Sequence, residues 1–174
     1  MGAFYYLHFA DEPELAVARA PDDPDLGDRL LGGGEVTDWK VLHFVMDEGV
    51  QVDYVANSFA CRLCSEKLRA VLNGNCGKND VMQWLPAVVT GRDGVEVPHW
   101  VLHFPEAPEV LDLSKTVMAG PVIVKACLDA GLVAGHQVFG FPNESLRMVV
   151  AGAVRDTIER TGCTGMTFSR VPMA

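Results

Sequence analysis

Two segments of the chain, 86 positions apart, carry the same residue pattern. This internal repeat limits the folds that the sequence can adopt. In each segment four positions recur with helical spacing: Cys64, Leu68, Val71 and Leu72 in the first, and Val150, Val154, Thr157 and Ile158 in the second. This spacing puts each set on one face of a helix. Each segment predicts a strand, a helix, a glycine-containing turn and a strand. We therefore expect two similar strand–helix–strand units whose helices cover one sheet.

The local signals place the elements of both units. In the first unit we predict a strand over 58–63, a helix capped by Ser65 and a strand over 81–89. Asp93-Gly94 then indicates a hairpin to a strand over 97–104. The remaining predicted elements are strands at 4–9, 40–46, 121–128, 136–141, 146–150 and 165–171, and a helix over 152–161. Because hairpins outnumber helical crossovers, we predict an α+β fold, with a mostly antiparallel sheet and two main helices.

The composition is that of an ordinary folded domain. The chain has 174 residues, of which 49% are hydrophobic and 21% charged, and these proportions exclude disordered and fibrous classes. We divide it into an acidic N-terminal segment with short strands (1–50) and an α+β domain (51–174). We expect the two parts to form one compact unit.

Negative charge is concentrated near the N-terminus. The stretch 10–28 holds seven acidic residues against one base, Arg19, and so supplies −6 of the net charge of −9. Its three prolines disfavour a long regular element. One interpretation is a solvated, mobile loop, and the other is a charged segment that attracts a basic partner electrostatically. An acidic surface repels phosphate and anionic lipid, so we expect neither nucleic acid nor membrane as a partner.

If the stretch attracts a basic partner, some of its residues are candidates for partner binding. The candidate residues within the stretch are Asp22, Asp23, Asp25 and Asp28. Their charges would raise the association rate more than the affinity of the complex. Tryptophan is enriched among residues that anchor interfaces, and the chain has three. Trp84 and Trp100 lie within predicted strands, so we expect them in the core rather than in contact with a partner. Trp39 lies between the acidic stretch and a strand, and is the preferred anchor.

Several absences indicate a cytoplasmic protein. The chain has no apolar run near the 18 residues of a membrane helix. Its first ten residues contain no base before an apolar stretch, unlike a secretory signal. The five cysteines are an odd number, which favours free thiols in a reducing compartment. The sequence leaves open whether the protein forms a homo-oligomer.

The pair Cys61 and Cys64 forms a Cys-x-x-Cys sequence at the predicted start of a helix. A helix N-terminus lowers a thiol pKa, so a redox role is one interpretation. A zinc site would add Cys76 and one histidine, but the chain has no second Cys-x-x-Cys pair. We expect packed, unreactive cysteines, with zinc and redox roles as alternatives.

The sequence offers no assembled catalytic set. His99 and His103 lie four residues apart on a predicted strand, which places them about 13 Å from each other on one face. They cannot share a metal ion, and we expect them on the surface or on a sheet face. No nucleophile elbow or dinucleotide fingerprint is present. We therefore predict a protein that is not an enzyme and uses no cofactor.

Four blocks of the sequence resemble a known family. They are the helix start Cys64–Leu72, the block Gln83–Val89, whose Pro86 is similar to the proline that ends a strand of the family, the segment Gly135–Phe141, and the run from Met148 to Phe168. The family is the eleventh numbered immunity domain of bacterial polymorphic toxin systems, first defined from myxobacterial sequences. The resemblance covers residues 58–172. In the family the second helix starts with Ser-Glu, whereas Ala151-Gly152 stand here.

The resemblance implies a non-enzymatic protein that neutralises a cognate toxin by binding and occluding it. The family's motifs are structural, so the resemblance carries no catalytic residue over to this chain. Many toxins that attack nucleic acid are basic, and an acidic inhibitor would suit such a toxin. The alternative function is a small cytoplasmic enzyme or small-molecule-binding domain with an unrecognised site. A closed pocket lined by convergent polar groups would favour that alternative.

Overall fold

The computed structural model describes residues 2–23, 25–31, 33–142 and 146–174. Within these ranges the chain is α+β, with many strands in mostly antiparallel sheets and 14% of residues in helices, which confirms the predicted fold class. The helices are α1 (Leu26–Leu31), α2 (Glu66–Gly74) and α3 (Gly152–Arg160). The strands are β1 (Phe4–Phe9), β2 (Val17–Ala18), β3 (Leu42–Val45), β4 (Tyr54–Asn57), β5 (Leu63–Ser65), β6 (Gln83–Thr90), β7 (Glu96–His103), β8 (Val117–Ala119), β9 (Val122–Lys125), β10 (Val138–Phe139), β11 (Met148–Ala151) and β12 (Met166–Val171).

The strands form two main sheets and a separate hairpin. The larger sheet has the order β2-β4-β5-β7-β6-β3 and the smaller has the order β10-β11-β1-β12, while β8 and β9 pair with each other. Two pairs, β2–β4 and β3–β6, are parallel, and the other pairs are antiparallel. Strand β1 lies between β11 and β12, so the beginning of the chain completes the sheet of its final third.

Helices α2 and α3 contact each other and bury their apolar faces in a common core. The hydroxyl oxygen of Ser65 accepts a hydrogen bond from the backbone N–H of Leu68, which confirms the predicted cap of α2. The equivalent position of α3 is Ala151, which supplies no side-chain cap. Leu68 and Ile158 are fully buried, as the helical spacing predicts.

Two separate hydrophobic clusters stabilise the fold. The first cluster contains residues of α2, α3 and both main sheets. The second cluster combines the six-stranded sheet with the N-terminal segment, and it includes Ala16, Leu26, Leu63 and Val101. Alternate residues of β5 and β7 belong to different clusters, since Cys64 and Leu102 lie in the first. The residues that precede β3, including α1, therefore cover one face of the six-stranded sheet, and α2 covers the opposite face.

The predicted strand at 58–63 is wrong, because a turn separates β4 from β5. The side-chain oxygen of Asn57 accepts from the backbone N–H of Cys61, and its amide donates to the carbonyl oxygens of Cys61 and Val55. Within this turn Ala60 adopts a positive φ of 55°. An asparagine that hydrogen-bonds its own backbone competes with strand pairing, and this was the missed signal.

The predicted strand at 121–128 is also too long. The structure forms a short hairpin there, with β8 before the turn and β9 after it. Gly120 provides the turn with a φ of 61°, and Pro121 follows it. A Gly-Pro pair marks a turn, so the sequence contained the signal for β8.

Candidate partner-binding surface

The acidic stretch is fixed on the six-stranded sheet by its apolar residues. Ala16, Ala18 and Leu26 are all buried in the second cluster. Strand β2 pairs with β4, and α1 follows it. The interpretation of the stretch as a solvated, mobile loop rested on its acidic residues and prolines, and it did not use the apolar residues that pack against the sheet. Pro24, one of its three prolines, lies outside the described residues.

The four predicted aspartates differ in their surroundings. Asp22, Asp25 and Asp28 are exposed to solvent. Asp23 is half-buried and forms an ion pair with Arg29. Its Oδ1 also accepts a hydrogen bond from the backbone N–H of Asp25, at 3.1 Å. Three of the four carboxylates are therefore free to face a partner, while Asp23 organises the loop.

The preferred anchor, Trp39, lies beside this loop. Its indole Nε1 donates to the backbone oxygen of Pro86 in β6, at 2.9 Å. The guanidinium of Arg29 lies 5.8 Å from the centre of the indole ring. Arg29 thus contacts both Asp23 and Trp39, and links one of the four predicted aspartates to the predicted aromatic anchor. Trp39 is half-buried, so part of its ring is available to a partner.

The other two tryptophans lie on the opposite face of the sheet, against α2. The guanidinium of Arg69 lies 3.8 Å from the ring centre of Trp100 and 6.0 Å from that of Trp84. The indole N–H of Trp84 donates to Oδ1 of Asn73, at 2.8 Å. Both tryptophans are half-buried beside the helix. They are not part of the surface formed by Trp39 and the aspartates.

The cysteines proposed for zinc or redox chemistry do not converge. Cys61 lies in the second hydrophobic cluster and Cys64 in the first, whereas Cys76 is exposed. Burial raises the pKa of Cys61 to about 12 and raises that of Cys64 as well. Both are therefore neutral thiols at pH 7, although metal binding and thiol exchange use the thiolate. In the part of the chain described, no group of three or more metal-ligating side chains occurs.

His99 and His103 occupy one face of β7, as predicted, but both are buried rather than on the surface. The ring Nε2 of His103 lies 2.9 Å from the carbonyl oxygen of Gly34. His99 places Nδ1 3.1 Å from the carbonyl oxygen of Val97, while its Nε2 has no hydrogen-bond partner among the described residues. Burial lowers the pKa of His99, so its neutral form is favoured in the folded chain.

This environment predicts a pH dependence of stability. Because the unfolded chain binds a proton near pH 6.5 and folded His99 binds it less readily, the free energy of unfolding should fall as the pH drops through about 6.5. Replacing His99 with leucine should remove that part of the loss. Urea unfolding between about pH 5 and 7.5 measures the effect. His43→Leu, at an exposed position of β3, is the control. Equal pH profiles for the two variants would contradict the prediction.

A buried aspartate–histidine pair is the arrangement that sequence reasoning missed. The carboxylate of Asp80 is fully buried and lies 3.0 Å from Nδ1 of His136. Its Oδ2 accepts from the backbone N–H groups of Gly77, Gln137 and Val138. The pair joins segments 56 residues apart, so no local pattern could have indicated it.

A cavity of about 310 Å³ adjoins this pair. Its lining includes Phe104, Glu106, Glu109 and His136. The contact between Nδ1 and Asp80 holds the imidazole ring of His136 at the edge of this cavity. Polar groups beside a cavity are typical of a small-molecule site, so this is where the alternative function would reside.

No protein-family model matches the chain, and a search of curated proteins finds no significant match. Among the described residues, no helix has the length and apolar character needed to cross a membrane.

Proposed function

We propose that this protein is an immunity-type protein that neutralises a cognate bacterial toxin by binding and occluding it in the cytoplasm. The sequence blocks that resemble the eleventh immunity family support this role. The observation that carries it is the surface beside α1, where Arg29 links Asp23 to the half-buried ring of Trp39. Asp22, Asp25 and Asp28 are exposed in the same segment. Carboxylates around an aromatic anchor suit a basic protein partner. Neither catalysis nor a cofactor is needed for this function.

We also infer that the domain is built from two similar strand–helix–strand units. The strand orders β4-β5-β7-β6 and β10-β11-β1-β12 correspond, with α2 following β5 and α3 following β11. Arg155 lies 4.3 Å from the ring centre of Tyr5 in β1, as Arg69 lies over Trp100 in β7. In this arrangement the acidic stretch 10–28 and Trp39 lie outside both units, and they form the proposed partner-binding surface.

The direct biological test is co-expression with the toxin encoded by the adjacent gene. Cells that express the toxin should grow when this protein is present and stop growing when it is absent. A variant that carries Asp22→Asn, Asp25→Asn, Asp28→Asn and Trp39→Ala should rescue growth less well at equal protein abundance. Failure of the unaltered protein to rescue growth would contradict the proposal.

Association kinetics test the role of the aspartates. Changing Asp22, Asp25 and Asp28 to asparagine should slow association with the toxin roughly tenfold at low salt and weaken its salt dependence, because the variant loses local steering charge. The dissociation rate should stay nearly constant. Asp23 is left intact, since it pairs with Arg29. Stopped-flow or surface-plasmon measurements at several salt concentrations give both rates.

The matched control removes three charges elsewhere. Glu96, Glu106 and Glu109 are exposed and lie outside the acidic stretch, so changing them to glutamine alters the net charge equally. If the control slows association as much as the aspartate variant, the effect comes from net charge alone. A faster dissociation rate with unchanged association would mean that the loop docks directly, and the steering role would be wrong.

A second candidate function rests on the cavity beside Asp80 and His136. A small enzyme or small-molecule-binding domain would use His136 there, whereas an occluding protein would not. His136→Gln separates the two functions when growth rescue is compared at equal abundance. Full rescue supports occlusion, and lost rescue with an intact toxin complex supports the second candidate.

A further inference from the structure

Strand β12 forms an open edge of the four-stranded sheet, because it pairs with β1 on one side only. The backbone N–H of Ala10 donates to the carbonyl oxygen of Gly165, which makes these opposite residues a hydrogen-bonded pair. The register of β1 and β12 continues from this pair without interruption. Since hydrogen-bonded and non-bonded pairs alternate, Thr167 and Ser169 direct their backbone groups to β1. Those of Met166, Phe168 and Arg170 point outward.

Contacts farther along the chain agree with this assignment. The carbonyl oxygen of Pro172 accepts from the backbone N–H of Leu128, and the N–H of Ala174 donates to the carbonyl oxygen of Leu128. Both groups belong to even-numbered residues and face the outer side of β12. In the described chain, no backbone group outside the sheet bonds to the outward groups of 166, 168 and 170. An open edge of this kind is a template for another strand.

An exposed apolar hairpin adjoins the same edge. Five large apolar residues within 113–124 have exposed fractions between 44% and 75%: Leu113, Val117, Met118, Val122 and Val124. Val124 and Lys125 line a cavity together with Ser169 and Arg170, which places the hairpin beside β12. A concentration of exposed apolar side chains beside an open strand is typical of a protein interface.

We propose that β12 pairs antiparallel with β12 of a second copy, with the two-fold axis at Phe168. In this register Phe168 lies opposite Phe168, Met166 opposite Arg170, and Thr167 opposite Ser169. The outward groups of all three edge residues are then satisfied in both copies. Two four-stranded sheets become one continuous sheet of eight strands. The proposal is independent of toxin binding.

The sequence of β12 favours a second copy over an unrelated strand. Antiparallel pairing with itself opposes an aromatic to an aromatic and a threonine to a serine, both of which are favourable cross-strand pairs. The one charged residue of the strand, Arg170, faces a methionine, so no like charges are opposed. A two-fold interface uses the same patch on both copies, and this strand is complementary to itself.

Proline at position 170 tests the pairing. Its outward N–H makes no bond within the sheet, so Arg170→Pro removes a donor from the dimer and none from the monomer. Sedimentation velocity over a range of concentrations should show a dimer for the unaltered chain. The dimer dissociation constant of Arg170→Pro should rise about 30-fold, equivalent to about 2 kcal/mol for one lost hydrogen bond per copy. Arg170→Gln, the matched control, keeps the N–H and should stay dimeric. A monomer at every concentration, or a dimer that proline does not weaken, would overturn the proposal.

Disulfide cross-linking tests the proposed register of the two β12 strands independently of the proline variant. Opposite residues of a non-bonded antiparallel pair have Cα atoms about 4.5 Å apart, within reach of a disulfide. In a Cys76→Ser, Cys163→Ser background, mixing Thr167→Cys protein with Ser169→Cys protein should give a disulfide-linked dimer under mild oxidation. The background protein and the Thr167→Cys protein alone should give little. Equal cross-linking in all three samples, or none in the mixture, would contradict the proposed register.

Discussion

Replacing Asp80 with alanine is expected to lower the free energy of unfolding by about 4 kcal/mol. The change leaves three partly buried backbone donors and His136 without their acceptor. Asp80→Asn should cost less, because its side-chain oxygen can still accept from the backbone donors. Its amide then faces Nδ1 of His136, which must become an acceptor. Urea unfolding measures both variants, and NMR of the imidazole reports the tautomer.

Asp93→Ala is the matched control for this stability effect. Asp93 is exposed in the β6–β7 turn, and its Oδ1 accepts from the backbone N–H of Val95. Its loss should cost about 1 kcal/mol, since water can replace that bond. Similar losses for Asp80→Ala and Asp93→Ala would mean that the buried pair does not hold the two segments together.

Replacing Trp39 with alanine is expected to weaken toxin binding about 30-fold or more, through faster dissociation. Truncating an aromatic anchor typically costs at least 2 kcal/mol of binding free energy. Trp39 is the aromatic residue that Arg29 links to the acidic stretch. Its loss should therefore lower the affinity, whereas loss of the exposed aspartates should lower the association rate. Trp39→Phe keeps a ring and loses only the N–H bond to Pro86, so it should bind with intermediate affinity.

Trp84→Ala is the matched control for this affinity effect. Trp84 is also half-buried with a bonded indole N–H, but it lies on the face covered by α2. Both alanine variants should lose some stability, and only Trp39→Ala should lose affinity for the toxin. If Trp84→Ala weakens binding more than Trp39→Ala does, the partner-binding surface lies on the opposite face of the sheet.

Elements whose signals are local could be predicted from the sequence. The predicted strand at 4–9 matches β1, the Asp-Gly turn joins β6 to β7, and Ser65 caps α2. These features depend on residues that are neighbours in the sequence. The turn at Asn57 was missed because its amide, and not a glycine or proline, reverses the chain. Apolar content alone favoured a strand there.

The candidate surface was only partly predictable for the same reason. Composition indicated which residues are acidic, but the burial of Ala16 and Leu26 depends on a sheet that forms from later residues. The difference between Asp23 and Asp22 depends on Arg29, which the fold brings close. The contact between Asp80 and His136 could not be predicted at all, because the two residues come together only in the complete fold.

The most direct test of the account is to mix the purified protein with its purified cognate toxin. We expect a stable complex of defined stoichiometry and loss of toxin activity in proportion to the complex formed. The Trp39→Ala variant should need a higher concentration for the same inhibition, and the Trp84→Ala variant should not. Inhibition at amounts of protein far below those of the toxin, without a complex, would instead show a catalytic activity and contradict occlusion.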